Sequence, residues 1–297
     1  MSNIKSNYIF LVIKAARIHQ WVKNILVFIP LFLIHQLTNI ELLSNSILAF
    51  LAFCVCASSV YFINDIHDIE ADRKHPVKSK RPIASGALPI NHGWVWAVLL
   101  MSTGLLLAFS VNKTFFYFVL FYVIATNLYS YVFKSIALAD VVILAALYTV
   151  RIIGGAVAVH SEVTFWLLAF SLFFFFSLAM VKRYSELASL TERGESEVRG
   201  RGYHAMDTHL ILILGVATGY LSVLIFALYL NESNILMQYS NPQWLWLITP
   251  VLLYWISRIW LLANRREISE DPVVFAVKDG VSYLAGLICM ISIILAR

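Results

Sequence analysis

Charged residues are scarce in this 297-residue chain: Asp, Glu, Lys and Arg together make up 13% of it, while hydrophobic residues make up 60%. A typical soluble domain carries about 25% charged residues. The composition therefore excludes an ordinary water-soluble globule, and the mean hydropathy of +0.79 supports the same conclusion. The chain is predicted to be a membrane protein.

Cysteine is rare as well. The three cysteines lie inside apolar runs, without the paired spacing of a zinc site or a disulfide framework. A Walker-type phosphate loop and a Ser-His-Asp pattern worth defending are also missing. These absences argue against zinc enzymes, P-loop hydrolases and serine hydrolases, and the cysteines are interpreted as small buried hydrophobic residues.

Long apolar runs, by contrast, recur along the whole chain, with no domain-sized soluble segment between them. About nine could cross a bilayer as helices, at roughly 22–39, 44–66, 92–111, 114–133, 137–158, 163–186, 208–230, 243–264 and 274–296. The predicted fold class is all-α: a polytopic membrane protein with about nine transmembrane helices, forming one domain over residues 1–297.

Basic residues cluster in every second connection between these runs, and the other connections carry almost none. The positive-inside rule then places the N-terminus and the basic connections in the cytoplasm, and the protein in the inner (cytoplasmic) membrane. Two of these connections are predicted to form cytoplasmic cap loops, at about 67–91 and 184–207.

The first of these loops contains most of a charge-rich stretch, YFINDIHDIEADRKHPVKSKRPIASG, which runs from Tyr61 to Gly86. At about 100° per residue, four of its oxygen-bearing side chains share one helix face: Asn64, Asp65, Asp68 and Asp72. Converging hard oxygen ligands suit Mg²⁺, which commonly bridges carboxylates to substrate phosphates. These four are predicted metal ligands, and the three aspartates are the predicted catalytic carboxylates. The alternative is a solvated helix end whose acids pair with nearby Lys and Arg.

A basic block directly follows the acids. A metal-bound diphosphate keeps excess negative charge, so Lys78 and Arg81 are predicted to bind its terminal oxygens. The alternative for any one of these cations is membrane topology alone, which requires basic residues on this side.

The pattern Asn64-Asp65-x-x-Asp68-x-x-x-Asp72, followed by Arg81-Pro82-Ile-Ala-Ser-Gly86, resembles the first aspartate-rich motif of the UbiA superfamily of intramembrane prenyltransferases. The resemblance implies a helical bundle around a central cavity, with Mg²⁺ holding a diphosphate at the cytoplasmic mouth. Typical members carry a second Asp-x-x-x-Asp motif after the sixth span. Here the corresponding segment reads Lys182-Arg183-Tyr184-x-Glu186, which replaces carboxylates by cations.

This segment and the opening stretch, Arg17-Ile-His-Gln20-Trp21-Val-Lys23-Asn24, resemble one branch of the superfamily, the decaprenyl-phosphate phosphoribosyltransferases. The branch implies a water-soluble donor, phosphoribosyl pyrophosphate, and a lipid acceptor, a deca- or undecaprenyl phosphate. The implied Mg-dependent reaction moves the 5-phosphoribosyl group to the lipid phosphate and releases pyrophosphate. No nucleic-acid partner is expected.

The predicted substrate-binding residues outside the first loop lie in these motifs and at the end of the fourth run: Arg17, Lys23, Asn24, Tyr131, Lys134, Lys182, Arg183, Tyr184 and Glu186. Arg17 and Lys23 are assigned to the acceptor phosphate. Lys182 and Arg183 are assigned to the 5-phosphate or ribose end of the donor, with Glu186 orienting one of those cations or accepting a ribose hydroxyl.

Two rival functions stay open. An ordinary UbiA-type prenyltransferase would move a prenyl group from prenyl diphosphate to an aromatic or other small acceptor, and a second acidic motif would favour it. A transporter for an anionic solute would show functional charges in mid-membrane or repeated halves. The sequence shows Arg151 in mid-membrane and no clear internal repeat.

Overall fold

The computed structural model describes residues 2–75, 77–193, 201–232, 239–268 and 271–297, without the side chains of residues 2–7 and 191–193. Within these ranges no β-strand occurs. The α-helices are α1 Ser2–Ala16, α2 Ile29–Leu33, α3 Ile40–His67, α4 Ile69–Arg73, α5 Ile90–Val111, α6 Lys113–Tyr131, α7 Ala139–Ala158, α8 Phe165–Arg193, α9 Thr208–Tyr229, α10 Ile248–Asn264, α11 Pro272–Ala276 and α12 Gly280–Ala296. The 3₁₀ segments are Ile18–Phe28, Lys78–Lys80, Phe133–Ser135, Ala205–Asp207 and Pro242–Leu247. The all-α prediction is confirmed.

Seven helical segments in the described ranges are long and apolar enough to cross a membrane, and they correspond to the second to eighth predicted runs. The first and ninth runs contain shorter apolar segments, Ile18–Leu33 and Gly280–Ala296. The first is shortened because it is built from a 3₁₀ segment and the brief helix α2, with Pro30 in the first turn of that helix. The chain is an integral membrane protein, its described residues contain seven full-length candidate spans, and the predicted number of nine is not confirmed.

The chain divides into two compact units, of which the first comprises residues 1–131 and 150–162. Helix α3 packs against α5 and the 3₁₀ segment Ile18–Phe28. Its buried face carries small residues such as Ala52 and Ser59, and Ser59 Oγ donates to the carbonyl of Ala97 at 2.6 Å. Small residues and hydroxyl groups of this kind allow membrane helices to approach closely.

Gly155 marks the closest approach in this unit, because a Cβ built there would lie 2.1 Å from the carbonyl oxygen of Val27. Replacing Gly155 by Ala is expected to destabilise the protein by about 1–3 kcal/mol through overpacking against backbone that cannot yield. Gly286→Ala is the matched control, since a Cβ there meets nothing within 4 Å. It should be neutral or slightly stabilising in thermal unfolding, and equal losses for both variants would contradict the packing explanation.

The second unit comprises residues 132–149 and 163–297. Ser177 ties three of its helices together: its Oγ donates to the Gly215 carbonyl at 2.7 Å and accepts from Trp260 Nε1 at 3.0 Å. Helix α8 continues to Arg193, so the cap loop predicted from about 184 begins too early. The middle of that predicted loop, residues 194–200, lies outside the described residues.

Candidate active site

The acidic cluster lies where α3 ends. Helix α3 ends at His67, close to the predicted end of the second run at 66, but the helix face predicted for the four ligands is interrupted: Asp68 takes φ −85° and ψ 10°, and α4 follows. Backbone hydrogen bonds still connect Asp68 to Asn64 at 2.9 Å and Asp72 to Asp68 at 2.8 Å. The break therefore occurs without a reversal of chain direction.

Asp65 and Asp72 are brought together by Arg81. One guanidinium nitrogen of Arg81 lies 3.2 Å from Asp65 Oδ1 and 2.5 Å from Asp72 Oδ2. The two carboxylate side chains are only 3% and 4% exposed. Buried carboxylates need a counter-charge. Here the counter-charge is an arginine of the same unit. The alternative that these acids pair with nearby Lys and Arg residues therefore describes part of the site.

Arg17 is the second counter-ion of Asp65, to which it forms a short ion pair. Its guanidinium also stands 4.8 Å from the centre of the Tyr61 ring. The Arg17 backbone is left-handed, with φ 52° and ψ 48°, a conformation that costs a non-glycine residue about 1 kcal/mol or more. The ion pair and the ring contact offset that strain.

Next to these ion pairs lies a cavity of about 450 Å³, built entirely from the first unit. Its lining is Lys14, Arg17, His19, Gln20, Asp65, Val77, Lys78, Lys80, Arg81 and Pro82. Five of these ten residues are Lys or Arg, and one is an acid. The predicted residues Arg17, Asp65, Lys78 and Arg81 thus share one cavity. Lys14, His19 and Gln20 were not predicted to line the site, although His19 and Gln20 lie inside the quoted motif that begins at Arg17.

The loop that carries Arg81 is fixed by its own buried residues. Ile83 and Leu88 are fully buried, and the Leu88 amide donates to the Pro82 carbonyl at 2.8 Å. Gly86 has φ +78°, which a residue with a Cβ rarely adopts. The turn therefore holds Arg81 at the carboxylates.

Asn64 has an amide group that is only half used. Its Nδ2 donates to Ser130 Oγ at 3.0 Å. Its Oδ1 is buried and accepts no hydrogen bond from the described residues. A buried oxygen that accepts no hydrogen bond, on the residue next to Asp65, is the kind of ligand that a hard cation such as Mg²⁺ binds. Asp68, which is half-buried, follows one turn later.

The cluster fits Mg²⁺ by its donor chemistry. Carboxylate and amide oxygens are the preferred ligands of this ion. In the part of the chain that the structure describes, no three His, Cys, Asp or Glu side chains converge as a metal-binding group. The reason lies in the geometry above, since the carboxylates of Asp65 and Asp72 are turned to arginines.

Asn24, predicted to bind substrate, is instead engaged within the first unit. It is 1% exposed. Its Oδ1 accepts from Arg151 Nε at 2.8 Å, and its Nδ2 donates to Cys54 Sγ at 3.2 Å. Arg151 also donates to the Tyr122 hydroxyl at 2.8 Å. The mid-membrane arginine therefore has amide and hydroxyl partners, and Asn24 helps to satisfy it.

Two further predicted residues of the first unit fall outside the cavity lining. Lys23 is half-buried within the 3₁₀ segment Ile18–Phe28. Tyr131 is exposed at the end of α6, where its ring meets the His67 ring edge-on with centres 4.7 Å apart. Their substrate-binding roles stay predictions.

In the second unit, Arg183 lies in a buried ion-pair network and not on a surface open to a phosphate. It is 1% exposed; its Nε lies 2.7 Å from Asp140 Oδ2, and its Nη1 forms a short ion pair with Glu186. The role predicted for Arg183, direct contact with the donor, does not fit this geometry because both carboxylates already bind it. The prediction that Glu186 orients a neighbouring cation does fit it.

Sequence reasoning missed three members of this network. Asp140 accepts from the Tyr203 hydroxyl at 2.6 Å and lies 3.2 Å from Arg201. Burial and the hydrogen bond to Asp140 raise the pKa of Tyr203 above its usual range, so its hydroxyl stays protonated. The available signal was Asp140 itself, an acid opening an otherwise apolar run, which is a costly position unless the charge is paired.

Lys182, unlike Arg183, keeps an accessible ammonium group. Its side chain is 30% exposed, and its Nζ lies 3.5 Å from Asp271 Oδ2. The Tyr148 hydroxyl lies 3.3 Å from both oxygens of Asp271, which also caps the short helix α11. Tyr184 is buried and donates to Asn264 Oδ1 at 2.7 Å. Lys182 is thus the partly exposed cation of its motif, while Tyr184 contacts protein, and the phosphate-binding role of Lys182 stays a prediction.

Lys134, the remaining predicted residue, lies in the 3₁₀ segment Phe133–Ser135 of the second unit and is half-buried. Tyr203 anchors the same stretch, because its hydroxyl accepts from the amide of Leu138 at 2.8 Å. The substrate-binding role of Lys134 stays a prediction.

Comparison with protein families gives a match between residues 25–285 and the profile of the UbiA prenyltransferase family. The nodulation protein NoeC of Azorhizobium caulinodans is 33% identical over 285 residues, which cover 95% of this chain and 90% of that protein. The uncharacterized protein y4nM of Sinorhizobium fredii is 36% identical over 281 residues, 94% of this chain. The chain spans only 54% of that relative's length.

A decaprenyl-phosphate phosphoribosyltransferase of Mycolicibacterium smegmatis is 29% identical over 276 residues, which cover 91% of this chain and 86% of that enzyme. The resemblance to this branch is therefore confirmed. Among solved structures, a UbiA homolog from Archaeoglobus fulgidus bound to DMAPP and Mg²⁺ superposes with a TM-score of 0.71. It is 16% identical and the match covers 95% of this chain and 98% of that one, which shows a shared fold.

Proposed function

The chain belongs to the UbiA prenyltransferase family, and from this premise we propose that it transfers the 5-phosphoribosyl group of phosphoribosyl pyrophosphate to a polyprenyl phosphate. The observation that supports this choice is the cavity of the first unit. Eight of its ten lining residues are polar or charged, and five are cationic. Such a lining suits a water-soluble donor with several phosphate groups better than it suits a prenyl chain, which needs apolar walls.

In the proposed reaction, a phosphate oxygen of the lipid attacks the anomeric carbon of the ribose. The bond from that carbon to the pyrophosphate oxygen breaks, and pyrophosphate leaves with the bonding electrons. The lipid phosphate is already an anion at neutral pH, so a strong general base is not required. The protein's main task is to hold two mutually repelling anions together and to stabilise the leaving group.

Each part of this task has candidate residues. Arg81 and Lys78 bind the leaving pyrophosphate, since both line the cavity beside Asp65. Arg17, which lines the same cavity, neutralises negative charge where the pyrophosphate of the donor meets the incoming lipid phosphate. In the second unit, Lys182 is a further candidate for binding a phosphate group, and Asp271 holds its side chain in position. Arg81 also offers a planar guanidinium, which pairs with phosphate oxygens through two parallel hydrogen bonds.

Magnesium would be held by Asn64, Asp65 and Asp68, with Asp72 as a further ligand, and would supply positive charge to the departing pyrophosphate. We also propose that the shorter segments Ile18–Leu33 and Gly280–Ala296 complete a set of nine spans. The cavity would then open to the cytoplasm, where the positive-inside rule places its basic residues and where the soluble donor is found.

The deciding experiment is a transfer assay. Purified protein is incubated with Mg²⁺, labelled phosphoribosyl pyrophosphate and either decaprenyl or undecaprenyl phosphate, and lipid-extractable label is measured. Label should enter the lipid, and Lys182→Ala should lower the rate by about tenfold, because one charge-assisted phosphate contact is lost. Lys113→Ala, at the exposed start of α6, is the matched control and should stay within about twofold of wild type.

A different outcome would identify the rival. Turnover of a prenyl diphosphate with an aromatic acceptor, without transfer to any lipid phosphate, would replace this proposal by an ordinary prenyltransferase reaction. Transfer that is equally fast in the Lys182→Ala variant would exclude a phosphate-binding role for Lys182.

A further inference from the structure

Two of the three carboxylates that are proposed to bind the metal, Asp65 and Asp72, are occupied by arginine. Asp65 pairs with Arg17 and Arg81, and Asp72 pairs with Arg81. The arginine side chains are about a quarter exposed, whereas the carboxylates are almost fully buried. A cation that binds these oxygens must first displace a guanidinium from a buried partner. Breaking such a pair is unfavourable unless the released charge finds a new partner.

The charge of the surrounding cavity acts in the same direction. Its lining carries five Lys or Arg residues against the single carboxylate of Asp65. A free divalent cation is repelled by this surplus. A divalent cation bound to a diphosphate carries net negative charge and is attracted by it. The cavity thus favours the complex over the free metal.

We propose that Arg17 and Arg81 act as exchangeable counter-ions, which hold Asp65 and Asp72 until a divalent cation arrives together with a diphosphate. The two guanidinium groups then move from the carboxylates to the phosphate oxygens, and the cation takes their place on the carboxylates. The metal enters with its diphosphate and not before it. The inference rests on the proposed function only in taking a diphosphate as the ligand.

This exchange makes the two ligands cooperative. The diphosphate gives each arginine a new partner, and the cation gives each carboxylate a new partner, so neither ligand alone compensates the broken pairs. Thermodynamic linkage requires that each ligand raises the affinity for the other by the same factor. Arg81 is central because it bridges both carboxylates.

The test uses Mn²⁺ as a probe of the metal and inorganic pyrophosphate as a probe of the diphosphate. Protein in nanodiscs is equilibrated with Mn²⁺, with or without saturating pyrophosphate, and bound Mn²⁺ is measured after rapid separation. Empty nanodiscs are subtracted, and free Mn²⁺ is corrected for its pyrophosphate complex. We expect the wild type to bind Mn²⁺ about tenfold more tightly when pyrophosphate is present. Equal binding with and without pyrophosphate would overturn the proposal.

Two variants locate the effect. Arg81→Gln should bind Mn²⁺ alone more tightly than the wild type and should lose most of the enhancement by pyrophosphate. Lys14→Gln removes a cation from the same lining without touching the ion pairs of Asp65, so it should lose only the part of the enhancement that comes from the overall charge and keep the larger part. If Arg81→Gln gains no more Mn²⁺ affinity than Lys14→Gln does, the proposed exchange is wrong.

Arg17→Gln provides a second test of the exchange if Arg81→Gln fails to fold.

The outcome of the Mn²⁺ binding test is independent of the donor's identity, because pyrophosphate contains neither ribose nor a prenyl chain. Cooperative Mn²⁺ and pyrophosphate binding without phosphoribosyl transfer would count against the proposed function alone. Phosphoribosyl transfer without cooperative binding would count against the exchange alone.

Discussion

Asp65→Asn is expected to lower the transfer rate by about a thousandfold, because it removes the charge that both arginines and the proposed metal require. Asp65 is the shared partner of Arg17 and Arg81, and it lines the cavity. The substitution keeps the shape of the side chain and leaves two arginines that are partly exposed. The protein should therefore fold while losing activity. Initial rates at saturating donor, together with thermal unfolding, measure the two effects separately.

Glu70→Gln is the matched control for this variant. Glu70 lies five residues further along the same cluster, but it is exposed and pairs with Arg73 at 3.3 Å. Its loss should change the rate by no more than about twofold. Asp65→Asn with more than a tenth of the wild-type rate would exclude Asp65 from the catalytic group.

Asp140→Leu is expected to give the largest loss of stability, about 3–5 kcal/mol, because it leaves Arg183 buried with one partner fewer. Arg183 is 1% exposed and lies between Asp140 and Glu186. Tyr203 and Arg201 would also lose their contacts with Asp140. Thermal unfolding in detergent should show a clear fall in the midpoint.

A double-mutant cycle separates the ion pair from its surroundings. Asp140→Leu combined with Arg183→Leu should be less destabilising than the sum of the two single changes, since the double variant leaves no unpaired charge of this pair. Glu267→Gln, an exposed acid of the same unit, should cost less than about 0.5 kcal/mol. Simple additivity in the cycle would show that Asp140 and Arg183 stabilise the protein independently.

The sequence was sufficient for features that depend on residues close together in the chain. Apolar run length predicted the helical class and about nine spans, of which seven have full length in the described residues. The acids near Asp65 and the basic residues near Arg81 were recognised because both lie within one short stretch. The break at Asp68 was missed, because the spacing of the acids is compatible with a continuous helix.

Features that depend on distant residues were beyond the sequence. The ion pair between Arg17 and Asp65 joins residues 48 positions apart, and no local pattern encodes it. The same holds for Arg183, whose position in a basic motif indicated an anion site. Its partner Asp140 comes from another segment, and Arg201 pairs with the same carboxylate. Only packing decides whether a motif cation faces a ligand or an internal acid.

The cation-rich lining of the cavity also bears on how fast a donor is captured. A surplus of positive charge around a partly open cleft draws a polyanion in from a distance of about one Debye length, roughly 8 Å in physiological salt. Added salt shortens that reach and slows capture, whereas the bond-making step takes place after the donor is enclosed. Ionic strength would thus act on the encounter between enzyme and donor. The lysines of the lining would determine how steeply the rate of capture falls as salt is added.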